Sequence, residues 1–543
     1  MILGNPKKID LSISSFRAIR SNNNLYIDKT KFIENFLNDS NSVQLIVRQR
    51  RLGKTLNMDT LKCFLTDKED NRNLFEGTYI ENSSVWEMLN SVPVFYFDFK
   101  NLRRESYKEQ IRNQIIEQIY NYIDVDKLNG FSKFSFNNYL NDKGDNPEGL
   151  LILTKIVYSV TGKRSYILID EYDKLLTDNY NTDSYESIKE YETSFLSAGL
   201  KGNDCLQKAI MTGVLRVSRE SMLSGLNNLV TYDMFSDKTF TTDFGLTEEE
   251  IDALDKTYHF NRETVREWYN GIRVSKTSLF NIYSVLSYVQ DGEFKNFWGR
   301  SGVIDIILDL MNEDRQNIIM RLLNGESVEA YLNDRISLHE LTTDPDDSLF
   351  YSMLVQAGYL SLEEINTEAN YGTIKIPNKE LTMVWKEFIL RSFVKKGIRL
   401  KTLFSNTNDI QAFNQDVEYF LSDRLSYFDI VENEGKTAEK IYHVFVLGLL
   451  SAYEDISYKK PSSNKESGDG RYDILFERKD FNIIFEFKSV ADVSRLESAA
   501  DEGLRQIDAK RYYADVAKDK PLIKTAIAFC GKKCSVKSSK HEW

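Results

Sequence analysis

The segment from Val43 to Leu65 constrains this 543-residue chain more tightly than any other. Val43-Gln44-Leu45-Ile46-Val47 is a short apolar run, Arg48-Gln49-Arg50-Arg51-Leu52-Gly53-Lys54-Thr55 follows it, and Leu56 to Leu65 carries apolar residues at helical spacing. Strand, Gly-Lys-Thr, helix is the order in which backbone N–H groups at a helix N-terminus hold phosphate. In that setting Gly53 makes the turn, Lys54 reaches the β- and γ-phosphates, and Thr55 ligates Mg²⁺. The match to G-x-x-x-x-G-K-[ST] is incomplete, because Arg48 stands where the first glycine belongs. Arg50 and Arg51 lie inside the loop and read either as nucleotide contacts or as solvated, ion-paired arginines.

A second segment pairs with the first. Ser165-Tyr166-Ile167-Leu168-Ile169 is apolar and ends in Asp170-Glu171, the form of a strand whose Asp170 holds Mg²⁺ and whose Glu171 polarises a water. Many buried parallel strands end in Asp at a loop, so the pair gains weight from Gly-Lys-Thr upstream. Strand and helix signals alternate over residues 40–215: Val92 to Phe99, a polar helix from about Tyr107, then Lys208 to Gly213, a sensor strand with Thr212 near the γ-phosphate. Such alternation predicts a largely parallel sheet with helices on both faces. Arg216 and Arg219, just beyond, are candidates for γ-phosphate or trans contacts, with ion-paired surface arginines as the plainer reading. Residues 216–300 read as helical, with a helix start at Thr247-Glu248-Glu249-Glu250 and a stop at Trp268-Tyr269-Asn270-Gly271.

The other chemistry lies near the C-terminus. Tyr472-Asp473-Ile474-Leu475-Phe476 and Ile483-Ile484-Phe485-Glu486-Phe487-Lys488 flank the polar turn Arg478-Lys479-Asp480 and predict a β-hairpin. Side chains alternate across a strand, so Glu486 and Lys488 share one face while Phe485 and Phe487 enter a core. Glu-x-Lys alone is an ordinary solvated edge. Asp473 within an apolar strand changes that, since an uncompensated carboxylate there is costly unless paired or metal-bound. Two carboxylates and an amine on one sheet edge make a divalent-metal site of the kind a phosphodiesterase needs.

These residues carry a resemblance. Glu466-Ser467-Gly468-Asp469-Gly470-Arg471-Tyr472-Asp473 with Glu486-Phe487-Lys488 resembles the PD-(D/E)XK nuclease superfamily, as found at the C-terminus of a bacterial family with an N-terminal AAA-ATPase-like domain. Tyr26-Ile27-Asp28-Lys29-Thr30, the Arg48–Asn57 block, Ile169 to Lys174, Thr212 to Arg216 and Ser224 to Leu229 resemble that ATPase domain. An arginine is usual in the family at the position of Arg48, and proline is commoner than Gln49. The resemblance implies that Asp473 and Glu486 bind Mg²⁺ with the Phe487 carbonyl, and that Lys488 orients or helps deprotonate the attacking water. It also implies supporting roles for Glu466, as an acid behind the metal ligands, and for Gln506, as a substrate-side or water-positioning amide. Related nucleases often carry a tyrosine four residues after that Gln, where this chain has Lys510.

The fold expected is therefore α/β throughout. A P-loop NTPase (AAA-like) parallel-sheet domain spans 1–235, a helical lid 236–300, a helical connector 301–430, and an α/β PD-(D/E)XK nuclease-like domain 431–543. Within the last, a helix over Ala438–Tyr453 and a strand near Ile456–Lys459 are expected, with His443 a packing residue. The tail Gly531–Lys540 is the clearest basic patch and reads either as a phosphate contact or, the favoured reading, as a frayed solvated end. No apolar run approaches the ~20 residues that span a bilayer, and no signal-peptide pattern opens the chain, so the expectation is cytoplasmic with no membrane partner. Four cysteines argue against a disulfide framework, and a net charge of −12 argues against a protein that coats nucleic acid nonspecifically. The reading is an ATPase fused to a Mg²⁺- or Mn²⁺-dependent nuclease that cuts DNA ahead of RNA, with ATP as cofactor. Sites between subunits are common in AAA-like ATPases, which leaves a homo-oligomer among its expected partners. The competing reading is a nucleotide-dependent switch whose nuclease-like domain binds nucleic acid or a protein without cutting.

Overall fold

The computed structural model describes residues 2–298 apart from 143, 218–225, 227 and 236; 306–395 apart from 308, 324, 334–345 and 367–370; 409–425; 443 and 446; and 462–543 apart from 464, 532 and 542. The boundary at 431, the expected strand at 456–459, most of the expected helix at 438–453, Arg219, and Ser224, Gly225 and Asn227 of the Ser224–Leu229 block lie outside these residues.

The chain divides into two compact units, residues 1–310 with 329–381, and residues 311–328 with 382–543. In the first, five strands form one parallel sheet: β1 (Val43–Val47), β2 (Val94–Asp98), β3 (Ser165–Asp170), β4 (Leu206–Gly213) and β5 (Leu229–Tyr232), in the order β2-β3-β4-β1-β5. All five residues of β1 and all six of β3 are buried, which is why both read as continuous apolar runs. Helices α1 (Lys54–Leu65), α2 (Tyr107–Tyr122) and α3 (Tyr185–Leu200) connect them. Helix α1 and the sheet share a core that includes Ile46, Met58, Leu61, Phe64, Leu168 and Ile210.

The expected lid region contains α4 (Glu248–Tyr258), α5 (Arg262–Tyr269) and α6 (Ile282–Asp291). Helix α4 begins with a full capping box, the Thr247 hydroxyl accepting from the Glu250 N–H and the Glu250 carboxylate accepting from the Thr247 N–H. A short antiparallel hairpin, 272–274 with 277–279, follows α5.

Two expectations need correcting. The 301–430 segment is not purely helical, because β6 (Val328–Tyr331), β7 (Ser361–Asn366) and β8 (Tyr371–Lys375) form a three-stranded sheet in the order β6-β8-β7, with α7 (Asp347–Ala357) between β6 and β7 in the chain. The period-two signal of β6, with Val328 and Ala330 buried and Glu329 and Tyr331 exposed, spans only four residues and is easily lost among helical repeats. The basic tail is not frayed either, since Lys533–His541 pairs along its whole length with the preceding strand.

The second unit holds a five-stranded mixed sheet. Its strands are β9 (Ser462–Ser463), β12 (Ile474–Glu477), β13 (Asn482–Ser489), β14 (Leu522–Cys530) and β15 (Lys533–His541), paired in that order, while β10 (Glu466–Ser467) and β11 (Gly470–Arg471) form a separate hairpin. Strands β12 and β13 are antiparallel, as expected of a hairpin, and β13 and β14 are parallel. A parallel pair needs a crossover, here α8 (Leu496–Ala509), whose Leu496, Ala499, Ala500, Gly503 and Ile507 are buried.

Candidate functional site

At the C-terminal ends of β1 and β3 the loop between Arg48 and Lys54 lies beside Asp170 and Glu171. Gly53, with φ 88°, caps α1 in the left-handed region that a side chain would strain. Arg51 also has positive φ, at 65°. The Lys54 ammonium is 7% exposed and donates to the carbonyls of Arg48 at 2.7 Å and Gln49 at 2.8 Å. Burial pulls its pKa down to about 8 against the opposing pull of Asp170, Asp173 and Glu171. Asp170 is the hub. Its Oδ2 accepts from the Thr55 hydroxyl at 2.7 Å and the Tyr96 hydroxyl at 3.3 Å. Its Oδ1 accepts from the Thr212 hydroxyl and, at 3.1 Å, from the Glu171 N–H. Glu171 sits at φ 55°, and burial, reinforced by Asp170, raises its pKa. A non-glycine residue held at positive φ is strained backbone of the kind that clusters at functional positions. Asp173 accepts from the N–H groups of Val214 and Leu215, at 3.0 and 2.7 Å, lacing the end of β4 to β3.

The arginines separate. Arg48 is wholly buried, and its guanidinium donates to the carbonyls of Val47, Tyr232 and Phe240 while pairing with Asp237. The residue in the first-glycine position is thus a brace between β1, β5 and the 237–240 turn. Arg51 donates to the Phe297 carbonyl and stacks 4.1 Å from the centre of the Tyr283 ring. Arg216 pairs with Asp233 at 3.2 Å, and its N–H donates to the Gln356 side chain at 2.9 Å. Arg50 is half-buried. The Thr212 hydroxyl faces Asp170, an engagement with the acid strand that sequence position alone does not reveal. Nothing in β2 marks Tyr96 out from its aromatic neighbours Phe95 and Phe97, so sequence alone does not single it out.

In the second unit Asp473 directly precedes β12, one residue before the Ile474–Phe485 pair. Its Oδ2 accepts from the Phe487 N–H at 2.8 Å, which fixes the carboxylate against β13. Glu486 is 3% exposed. Its Oε1 accepts from Lys488 Nζ at 3.0 Å and from Gln506 Nε2 at 2.6 Å, while Gln506 Oε1 accepts from Lys488 Nζ at 2.7 Å. The second Gln506 amide proton goes to the Tyr512 hydroxyl at 2.8 Å. Tyr512 therefore meets Gln506 from six positions on, beyond the helix end, whereas Lys510 is the C-cap of α8. The structure brings Asp473, Glu486, Lys488 and Gln506 together and leaves Glu466 apart, 78% exposed in its side chain and paired with Arg471 at 2.9 Å. His443 stacks on Phe487 with ring centres 5.6 Å apart, and burial, then Lys386, lowers its pKa to about 4.

Both donor sets suit a hard divalent cation. Hydroxyl and carboxylate oxygens, Thr55 with Asp170 and separately Asp473 with Glu486, match Mg²⁺, which keeps several waters and needs few protein ligands. Among the described residues no group of three or more His, Cys, Asp or Glu forms a closed metal cage. No described helix is long and apolar enough to cross a membrane.

Comparison with known proteins agrees with this layout. Residues 10–223 match a family described as a predicted AAA-ATPase, and residues 437–539 match the PD-(D/E)XK nuclease superfamily. A protein of Azotobacter chroococcum mcd 1, described as an uncharacterized protein in the vnfD 5'region, is 25% identical over 527 residues, covering 93% of each chain. The Aeropyrum pernix ORC2 protein, solved in ADPNP–ADP complexes, aligns over 72% of this chain and 96% of that one at 11% identity, with a TM-score of 0.21 that is too low to bear on the fold.

Proposed function

We propose, for a chain that joins an AAA-ATPase-like domain to a C-terminal PD-(D/E)XK nuclease superfamily domain, that ATP binding and hydrolysis in the first gate phosphodiester cleavage by the second. The substrate is nucleic acid, DNA ahead of RNA, and the protein works in the cytoplasm. The observation that carries the nuclease half is the cluster of buried Glu486 with half-buried Asp473, Lys488 and Gln506. Two carboxylates and an ammonium held this closely do not help a sheet to fold, because desolvating them offsets much of their attraction. A bound Mg²⁺ or Mn²⁺ supplies charge neutralisation and a water acidic enough to attack at neutral pH. Asp473 and Glu486 would hold it. Lys488, held between Glu486 and Gln506, presents a fixed cation to the phosphate or the attacking water. Gln506 has both amide protons and its carbonyl engaged by protein groups, so its part is to position Lys488 and Glu486.

In the ATPase half, Lys54 leaves the loop carbonyls for the phosphates, Thr55 and Asp170 would hold Mg²⁺, and Glu171 orients the water and accepts its proton. The water oxygen bonds to the γ-phosphorus, the bond from that phosphorus to the bridging oxygen breaks, and ADP and phosphate leave. The test is cleavage of single- and double-stranded DNA and RNA by the full chain, with Mg²⁺ or Mn²⁺ and with or without ATP, beside Glu486→Ala. Metal-dependent cutting that disappears in the variant supports the nuclease. ATP hydrolysis with no cutting of any substrate favours a nucleotide-dependent switch.

A further inference from the structure

The phosphate loop is held at two places by the later part of its own unit. At one of them α7 ends against it. Leu349 to Ala357 are buried, and Gly358 caps the helix at φ 88°. A Cβ on Gly358 would lie 2.3 Å from both Cδ and Oε1 of Gln49, so the Gln49 side chain rests directly on the Gly358 backbone. Two residues earlier the Gln356 side chain, 0% exposed, accepts from the Arg216 N–H at 2.9 Å. Asp173 accepts from the N–H groups of Val214 and Leu215, so three successive N–H groups beyond β4 are pinned, the last of them by α7. The second hold runs through Arg51, whose guanidinium donates to the Phe297 carbonyl while the Phe297 N–H donates to Glu380 at 2.7 Å. The first unit ends one residue after Glu380, at Leu381, and the chain enters the second at Thr382.

Of the two holds, the one at Gln49 is the weaker. Gln49 is 2% exposed, and its Oε1 is buried with no hydrogen-bond partner among the described residues. A buried acceptor left unsatisfied destabilises the fold, so a contact that contains one is easily given up. The backbone of the same residue carries the trigger. Its carbonyl is one of the two acceptors that hold the Lys54 ammonium, at 2.8 Å, so whatever draws Lys54 to a phosphate also unties Gln49.

We propose that residues 346–381 form a clamp on the phosphate loop that reports bound nucleotide: when Lys54 leaves the Gln49 carbonyl for a phosphate oxygen, Gln49 slackens against Gly358 and α7 loosens its hold on the loop and on the end of β4. The Arg51–Phe297–Glu380 line, hydrogen-bonded at each step, is the fixed end of the clamp. The proposal rests on the nucleotide reading of this loop and gives it a regulatory output. The clamp ends where the chain passes into the second unit, so a change in its grip arises beside the covalent link to the nuclease-like domain. Nucleotide that must loosen the clamp binds more weakly than it would to a loop already free, and the coupling is reciprocal.

The test is hydrogen exchange of the full chain, read by mass spectrometry with and without ATP. Wild type is compared with Lys54→Ala, Gln49→Ala and Gln49→Leu, and nucleotide affinity is measured separately by fluorescent titration. In wild type the amides of residues 347–358 should exchange at least about threefold faster with ATP bound, while those of residues 295–298 keep their rates. Lys54→Ala, which lacks the tie to the Gln49 carbonyl, should show the faster exchange without any nucleotide. Gln49→Ala should bind ATP at least as tightly as wild type and lose the response in α7. Gln49→Leu, which keeps the bulk against Gly358, should retain it. Wild-type protein that binds ATP with no change in α7 overturns the proposal. So does a full response in Gln49→Ala, or slow exchange in Lys54→Ala. Wild-type protein that binds no nucleotide removes the nucleotide reading itself, and this inference with it. Thermal melting of each variant guards against misfolding, and Lys54→Ala keeps the clamp testable if Gln49→Ala does not fold.

Discussion

Restoring the glycine that the phosphate-loop pattern asks for, Arg48→Gly, should damage this protein. Arg48 is 0% exposed and pairs with Asp237, itself 2% exposed. Removing one partner of a buried pair costs about 3–5 kcal/mol, because the other charge stays desolvated. Two features of the site adjust that figure. Asp237 Oδ1 keeps the N–H groups of Thr239 and Phe240, at 2.7 and 3.0 Å, which softens the loss. Against that, the carbonyls of Val47, Tyr232 and Phe240 lose a donor, and the guanidinium leaves its place 5.6 Å from the Phe244 ring centre. The two adjustments roughly cancel, so a loss of about 4 kcal/mol is expected. For a unit that takes in residues 1–310 and 329–381, at roughly 2.1 cal/mol/K of unfolding entropy per residue, that lowers the melting temperature by about 5 °C. Calorimetry and urea denaturation of wild type, Arg48→Gly, Asp237→Asn and the double variant form the assay. The double variant should lose less than the sum of the singles, with a coupling of about 2 kcal/mol or more. A single-variant shift under 3 °C, or strict additivity, would refute the account of Arg48 as a brace.

Glu380 is wholly buried, accepts from the Ser284 hydroxyl at 3.0 Å and the Phe297 N–H at 2.7 Å, and has its pKa pushed by burial to about 7. Between the unfolded value of 4.5 and about 7 the folded state binds the extra proton, so stability falls as pH rises through that window. Urea midpoints should slope downward there in wild type and flatten in Glu380→Gln; equal slopes would remove Glu380 as the cause. Lys54, with a pKa of about 8, loses its charge above that pH, so ATP affinity should drop roughly tenfold by one unit higher, and Lys54→Arg should abolish the drop. Gly358 has φ 88°, and a Cβ there would lie 2.3 Å from Gln49 Cδ in the phosphate loop. Gly358→Ala should therefore cost about 1–3 kcal/mol in a melting assay and weaken nucleotide binding as well. Gln506→Ala should reduce Mn²⁺ affinity by about 10–100-fold in calorimetric titration, because Glu486 loses the donor that orients it.

How much of this was legible in the sequence depends on how locally the chemistry is encoded. The phosphate loop, the Asp170-Glu171 strand end and the Glu486-x-Lys488 strand each compress their chemistry into a few adjacent residues. The periodicity around them then names the element. The β12–β13 hairpin was readable for the same reason, although Asp473 turned out to precede its strand. Partners supplied by tertiary contact were not readable. Asp237 is 189 residues from Arg48, and the Tyr96 hydroxyl reaches Asp170 across 74. Tyr512 falls outside the i, i+4 spacing of helical neighbours because the chain has left the helix before it returns to Gln506. The β6-β8-β7 sheet stayed hidden because four alternating residues give too little signal beside helices of eleven or more.

The same contacts explain how a phosphate loop works without its first glycine. That glycine ordinarily lets the backbone turn sharply off the end of a strand. Here the junction is closed by a side chain: Arg48 ties the end of β1 to the Tyr232 carbonyl of β5 and to the 237–240 turn. The neighbouring strand ends are laced in the same way, β4 to β3 through Thr212 and Asp170, and β2 to β3 through Tyr96 and Asp170. Asp173 adds a further tie through the N–H groups of Val214 and Leu215. With the ends of all five strands tied by side chains, the loop need not be rigid in its own backbone. On the proposed function, what remains to respond is small, namely the Lys54 ammonium, which would exchange two carbonyls for phosphate oxygens. A site built this way places its charges on a stiff frame and, on the proposed function, reserves movement for the cation that meets the phosphate.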